Sequence, residues 1–383
     1  MGLDTSTLPD FPWDRLTPFA ELARRHPGGI VDLSVGTPVD PTPALVRTAL
    51  AEAAHSPGYP TTHGTTELRE AVVAWFARRR GVRGLDPAAV LPTVGSKELV
   101  ALLPALLGLG EGDVVLHPAV AYPTYDVGAR LARARPEPTA DPAARLAADD
   151  DARIRLVWLN SPGNPDGRVL GVPELAAVVR AAREREARTG VPVVVASDEC
   201  YAELAWDAPW TDGVPSILDP RVRDGDLTGL LSVYSLSKQS NLAGYRAEFV
   251  TGDPTLVAGL LETRKHAGMM VPGPVQAATT VALGDDAHVA AQREVYRRRR
   301  TLLRAALESA GYRVDGSHAG LYLWVRPEGG HQDCWATVAD LAGLGVLVAP
   351  GEFYGPDATG HVRVALTATD ERVAEAAARL SGA

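Results

Sequence analysis

From residue 114 to residue 253 the sequence alternates short apolar runs with longer amphipathic stretches. VVLH (114–117), IRLVWLN (154–160), VPVVVASDE (191–199), LLSVYSLSK (230–238) and EFVTGD (248–253) read as strands, and helices are predicted over 124–133 and 173–189. Strands that are apolar at successive positions bury both faces. Helices packed on both sides of a mostly parallel sheet cover them in that way. The predicted fold class is therefore α/β. Upstream lie a strand-like IVDLSVG (30–36) and predicted helices over 42–54, 66–80 with Thr66 as N-cap, and 97–108. Residues 1–35 carry Pro9, Pro12, Pro18 and Pro27 and read as an irregular arm with one short helix from Pro18 to Arg25.

After about residue 285 the texture changes. A long helix (287–310) precedes YRVDGSHAGLYLWVRP, a helix over 335–343, GVLVAP (345–350), HVRVALT (361–367) and a last helix over 370–381. Strands and helices mix here without clean β–α–β units, as in a smaller α+β domain. The expected organisation is an arm with part of a small domain (1–40), a large domain (41–284) and a small C-terminal domain (285–383). The Pro-, Asp- and Gly-rich segment 206–228 reads as a surface loop.

Charge and cysteine content remove several classes of function. The formal net charge is −9, so no broad basic face is expected for nucleic acid. The one basic run, Arg297 to Arg300, lies in a helical stretch beside Glu294 and reads as a solvated helix face. The two cysteines, Cys200 and Cys334, lack metal-ligand spacing and suit reduced thiols in a cytoplasmic protein. No signal-like or membrane-spanning run is present. The longest apolar stretch, Leu99 to Leu109, is short and contains Pro104.

Lysine is scarce: Lys97, Lys238 and Lys265 only. Lys238 closes the run Ser235-Leu236-Ser237-Lys238 at the predicted end of a buried strand, where open α/β sheets place ligands. Such a lysine is either an exposed loop residue or an amine that condenses with a carbonyl. Asp198 ends the preceding apolar strand, where a carboxylate is costly to bury unless it meets a cation. Tyr201 follows three residues later. Amine, carboxylate and phenol at neighbouring strand ends suit pyridoxal 5′-phosphate: the aldehyde takes the amine, the ring nitrogen faces the carboxylate, and the phenolate oxygen accepts from the tyrosine. Asn164, in the turn Ser161-Pro162-Gly163-Asn164-Pro165-Asp166-Gly167, can donate to the same oxygen. Gly95-Ser96-Lys97-Glu98 opens a helix whose exposed N–H groups suit a phosphate, with Ser96 and Lys97 at its start. Arg246 can cover that phosphate. Arg363, between Val362 and Val364, is either paired in the core or aimed into a cleft, where a guanidinium grips an α-carboxylate in bidentate fashion.

These motifs together resemble the class I/II aminotransferases of the fold type I pyridoxal-phosphate enzymes, over nearly the whole chain and in the family's order. Ser235-x-Ser237-Lys238-x₇-Arg246 resembles the lysine signature, Gly163-Asn164-Pro165-x-Gly167 the asparagine turn, and Asp198-x-x-Tyr201 the cofactor pair. Tyr122, in Ala121-Tyr122-Pro123-x-Tyr125, is similar to the aromatic that stacks on the ring. Gly36 matches the glycine near the substrate carboxylate and Arg363 the arginine that binds it. Tyr59-x-x-x-x-Gly64 resembles the loop that reaches the neighbouring subunit's phosphate. The resemblance implies a large domain with a mostly parallel sheet and a smaller α+β domain. It also implies a homodimer with shared sites, crossed by Tyr59 and the 268–274 loop. Three departures stand out: Ser161 where asparagine is usual, Asp166 in place of threonine or serine, and Glu248 where a glycine is usual two places after the arginine.

The stretches DLSVGTPVDPTP (32–43), ASDECYAELAW (196–206), NLAGYRA and MMVPGPVQAA (269–278) are closest to the actinobacterial N-succinyldiaminopimelate aminotransferases of lysine biosynthesis. That implies an amino-acid donor, N-succinyl-LL-2,6-diaminopimelate, with 2-oxoglutarate as acceptor. Lys238 would hold the cofactor and then move the α-proton, and Ser235 and Ser237 would join Ser96 and Arg246 around it. An aminotransferase for another amino acid and a C–S lyase use the same residues. A transcription-factor sensor domain would need an N-terminal winged helix, and a dehydrogenase would need G-x-G-x-x-G after the first strand; neither is found.

Overall fold

The computed structural model describes residue 8, residues 12–329 and residues 333–382. After a two-residue strand β1 (Val31–Asp32), seven strands build the central sheet. They are β2 (Val90–Val94), β3 (Val114–Pro118), β4 (Arg135–Thr139), β5 (Ile154–Asn160), β6 (Val194–Asp198), β7 (Leu230–Ser235) and β8 (Ala247–Gly252). Their spatial order is β2-β8-β7-β6-β5-β3-β4. The five strands β3 to β7 run parallel, while β8 is antiparallel to both its neighbours. The reversal has a local cause. Between Ser235 and Ala247 the chain makes only a turn and a single 3-10 helix, too short for the helical crossover a parallel return requires.

The apolar runs emerge as strands and the Ile154–Asn160 run keeps its bounds. Two strands lacked that signature. The sequence of β4 is RPEPT, and it holds its two prolines because it is an edge strand. Strand β2, VLPTV, also carries a proline. Helices Pro254–Ala267 and Gly273–Gly284 had no expectation behind them. Two boundaries are corrected. Thr65, not Thr66, caps the helix Thr66–Arg79, its hydroxyl accepting from the Leu68 N–H at 3.2 Å. Lys238 does not close a strand: β7 stops at Ser235, and the lysine stands three residues on, in a turn.

A second, four-stranded antiparallel sheet has the order β12-β13-β10-β9. Its strands are β9 (Tyr312–Asp315), β10 (Tyr322–Pro327), β12 (Ala349–Pro350) and β13 (Val362–Ala365); β11 (Val346–Leu347) pairs in parallel with β1. The core divides accordingly. Residues such as Leu116, Val157, Val195 and Phe249 fill clusters against the large sheet, and Leu323, Val325, Val338 and Val364 fill one against the small sheet, joined by Leu16 and Leu33 of the arm. The long helix Ala287–Ser309 corrects the reading of its basic run. Arg299 is 4% and Arg300 8% exposed. Helical periodicity turns these two inward, where Arg299 meets Asp40 and Asp370 and Arg300 meets Asp207. Cys200 and Cys334 are buried free thiols. Among the described residues no helix is long and apolar enough to cross a membrane, and no group of His, Cys, Asp and Glu could hold a metal.

Candidate active site

The C-terminal ends of β5, β6 and β7 open into a cavity of about 460 Å³ that also touches the helix Ser96–Leu106 and the small sheet. Asn160 ends β5 and organises the following turn. Its Nδ2 donates to the carbonyls of Pro162 and Asp198, both at 3.1 Å, and its Oδ1 accepts from the Asn164 N–H at 2.8 Å. Asn164 is thereby held at the cavity wall.

Asp198, in register with Asn160 at the end of β6, is half-buried on the cavity wall with both oxygens engaged. Tyr125 Oη donates to Oδ2 at 2.9 Å and the Cys200 N–H to Oδ1 at 3.2 Å. Burial pushes this carboxyl above its ordinary range, and those hydrogen bonds pull it back. A cation entering the cavity would complete that compensation. In the turn after β7, Lys238 Nζ donates to the Gly36 carbonyl at 2.6 Å. Gly36 has to lack a side chain: a Cβ there would stand 2.1 Å from the Tyr322 hydroxyl.

Arg363 comes from the small sheet and is 2% exposed. Nη1 donates to Asn164 Oδ1 at 3.0 Å, and Nη2 to the Ser34 carbonyl at 2.7 Å. Its guanidinium lies 3.9 Å over the Tyr322 ring and 5.0 Å from that of Tyr354. Nε is buried without a hydrogen-bond partner among the described residues. Tyr201 Oη is 3.3 Å from Tyr322 Oη. Burial pushes the Tyr201 phenol up. It would do the same to Tyr322, but the Arg363 and Lys238 charges outweigh it and bring that phenol below its usual value. Tyr322 is therefore the more acidic of the pair, because it lies against the arginine.

The other end of the cavity gathers hydroxyls and N–H groups. Ser96 begins its helix, and Ser235 Oγ accepts from the Ser237 N–H at 3.0 Å. Arg246 adopts a left-handed conformation with φ +56° and lays its guanidinium against Gly95, whose missing Cβ would fall 1.8 Å from Nη2. Lys97 and Tyr122 face each other on the wall, the ammonium 5.6 Å from the ring centre.

Of the residues expected from the sequence, Gly36, Ser96, Lys97, Tyr122, Asn164, Asp198, Tyr201, Ser235, Ser237, Lys238, Arg246 and Arg363 all line this one cavity. Tyr59 does not: it is 95% exposed and outside it. Sequence reasoning assigned no role to Tyr125 or Tyr322. Tyr125 carried no signal of its own. Tyr322 carried a weak one, since it alternates with Trp324 on β10, and Trp324 is paired in register with Arg363.

The residues present fit pyridoxal phosphate. One chamber holds an amine, a half-buried carboxylate, a tyrosine beside an asparagine and, at its far end, a helix N-terminus with an arginine. The chain has the fold of the fold type I pyridoxal-phosphate transferases, and the lysine just beyond β7 and the carboxylate at the end of β6 line the same cavity. Residues 29–380 match the family described as aminotransferase class I and II, and the chain belongs to it. It is an aminotransferase, and its family uses pyridoxal phosphate. It is 58% identical over 377 residues to a probable aminotransferase of Mycobacterium tuberculosis, covering 98% of this chain and 86% of that one. It is 54% identical over 374 residues to the 4-dedimethylamino-4-oxo-anhydrotetracycline transaminase OxyQ of Streptomyces rimosus, covering 98% and 99%. The solved N-succinyldiaminopimelate aminotransferase of Mycobacterium tuberculosis superposes with a TM-score of 0.82 at 30% identity, over 96% of this chain and 98% of that one.

Proposed function

We propose that this cavity transfers the amino group of N-succinyl-LL-2,6-diaminopimelate to 2-oxoglutarate, with Lys238 as the proton-moving base. The observation that carries the reading is the convergence of Lys238 and Arg363 on one chamber, each reaching it from a different sheet. Pyridoxal phosphate, when bound, supplies the aldehyde and the electron-accepting ring. Asp198 would hold the protonated ring nitrogen. Asn164 has its Oδ1 engaged by Arg363, which leaves Nδ2 free to donate, with Tyr201, to the ring oxygen. Tyr122 covers the ring. Arg363 grips the α-carboxylate of donor and acceptor in turn, so one site serves both half-reactions. Lys238 would hold the aldehyde of the cofactor and would move the proton from the substrate α-carbon. Gly95, Ser96, Ser235, Ser237 and Arg246 seat the phosphate, with Lys97 on the adjoining wall.

The succinylated donor is supported by the 30% identical neighbour and by the sequence stretches that resemble that group. A second reading rests on the 54% identity to OxyQ, whose name describes amination of an oxo-anhydrotetracycline. We further propose a cytoplasmic homodimer in which Tyr59, exposed on the single chain, reaches the partner's phosphate. The arm and the small sheet would form the smaller domain.

The cofactor-loaded enzyme, mixed with one donor at a time and no acceptor, tests the substrate through its visible absorbance. N-succinyl-LL-2,6-diaminopimelate and glutamate are expected to react fast, with aspartate, an aromatic amino acid and cystathionine slower. Reaction with glutamate and another donor alone would overturn the succinylated substrate while keeping the aminotransferase. Pyruvate release from cystathionine at the faster rate would favour lyase chemistry. Amination of the tetracycline ketone in preference to the succinylated ketone would favour the second reading.

A further inference from the structure

Glu248 stands where the family resemblance calls for glycine. It lies on β8, 4% exposed, and it lines the cavity at the end holding Arg246 and Ser96. Strand register sets it between Thr93 of β2 and Ser235 of β7. Its Oε1 accepts from the Ser237 hydroxyl at 3.3 Å. Its Oε2 is buried and has no hydrogen-bond partner among the described residues. A carboxylate oxygen buried without a donor is costly, whereas a carboxylic acid with its proton there carries an unused donor.

We propose that Glu248 is a positioning residue for the phosphate of the cofactor: as the neutral acid it leaves the charge of the phosphate unopposed, and as the carboxylate it repels the phosphate across the wall of the seat. The chain's grip on the phosphate then depends on one proton of its own. This rests on the reading of the Gly95–Ser96–Ser235–Ser237–Arg246 end as the phosphate seat.

The surroundings support a neutral acid. Burial pushes the Glu248 carboxyl up to about 7, with the Ser96 and Ser235 hydroxyls and the Arg246 charge pulling it down and Asp198 pushing it up. The groups around it can be named element by element. Arg246 lies on its own strand side and Thr93 on β2. Ser235 and Ser237 come from β7 and its turn, with Lys238 beyond. Asp198 and Cys200 lie at the end of β6. The helix Ser96–Leu106 brings Ser96 and Lys97, while its Glu98 is engaged by Arg264 at 2.8 Å. Burial, with the nearby Asp198 and Glu248 carboxyls, pushes the Cys200 thiol well up and keeps it neutral. Glu248 is thus placed to change charge near neutrality, opposite a phosphate whose own second proton leaves near pH ~6.

Equilibrium dialysis of the full-length enzyme tests this, using pyridoxal phosphate and, separately, pyridoxal, which lacks the phosphate. Between pH 6 and 8.5 the dissociation constant of the native enzyme for pyridoxal phosphate is expected to rise about tenfold more than that of Glu248→Gln, which carries no charge at any pH. Glu248→Gly also removes the titrating charge and is expected to show the same shallow pH profile as the glutamine variant. It also serves if the glutamine variant fails to fold, as its melting temperature would show. Pyridoxal is expected to give parallel profiles for all three proteins. Superimposable profiles of native and Glu248→Gln protein with pyridoxal phosphate overturn the proposal, as does an equal difference with pyridoxal. Arg246→Ala separates the underlying reading: if it weakens pyridoxal phosphate no more than pyridoxal, the phosphate seat itself is misplaced.

Discussion

The two sheets meet across one cavity and contribute unlike chemistry to it. The seven-stranded sheet brings a carboxylate and an amine, Asp198 at a strand end and Lys238 in the turn just beyond one. The four-stranded sheet brings Arg363 from within a strand, with Tyr322 beneath it. Asp198 is placed by the backbone hydrogen bonds of a large parallel ladder and Lys238 by the turn after β7, whereas the Arg363 guanidinium is held by ion–aromatic stacking and two carbonyl-type acceptors. This contrast suggests a separation of function: the large sheet should govern turnover and the small sheet substrate binding.

The sharpest way to break that division is Lys238→Ala. It should lower kcat by at least ~10³-fold, since it removes the amine placed to move the α-proton, and the visible band that depends on the lysine should be lost, leaving that of the free aldehyde; normal single-turnover kinetics would sink the assignment. Asp198→Ala should lower kcat by roughly 10²–10³-fold, by removing a charged partner from a desolvated site. Stopped-flow rates measure this, and an effect confined to KM would contradict it. A third prediction concerns stability on the same side. The Glu248 carboxyl is raised to about 7 in the folded chain from about 4.5 in the unfolded one. The unfolded state therefore releases its proton first, and stability falls as pH rises from about 4.5 to about 7, by roughly 3 kcal/mol at most. Denaturation of the cofactor-free chain at a series of pH values should show this fall for the native protein and not for Glu248→Gln. Arg363→Lys should act on the opposite sheet, raising KM for donor and 2-oxoacid alike by about tenfold with a smaller change in kcat, because lysine loses the fork and the stacking. Tyr322→Phe, which keeps the ring under Arg363 and removes only the hydroxyl, should change kcat or KM by no more than about threefold, corresponding to one modest hydrogen bond.

How much of this was legible depends on what each residue's neighbours in sequence reveal. Asp198 was readable because a carboxylate at the end of VPVVVAS is conspicuous against buried apolar positions. Lys238 was readable because lysine is rare here, although its strand was read three residues too long. Strand β4 was illegible because prolines obscure a strand unless its edge position is known. Arg299 and Arg300 were misread because helical periodicity gives a direction but does not show that Asp40, Asp370 and Asp207 wait on that side. Tyr125 was passed over because its partner, Asp198, lies 73 residues away.

The sequence by itself determined the α/β class, most of the central strands and the kinds of side chain available, because apolar periodicity and residue chemistry are local properties. Only the tertiary structure decided that β8 runs backwards and that Arg363 faces the cavity rather than a core partner. It also decided that Glu248 keeps one oxygen buried without a donor. Each of those outcomes depends on which strands lie side by side, and that is set by packing across the whole chain.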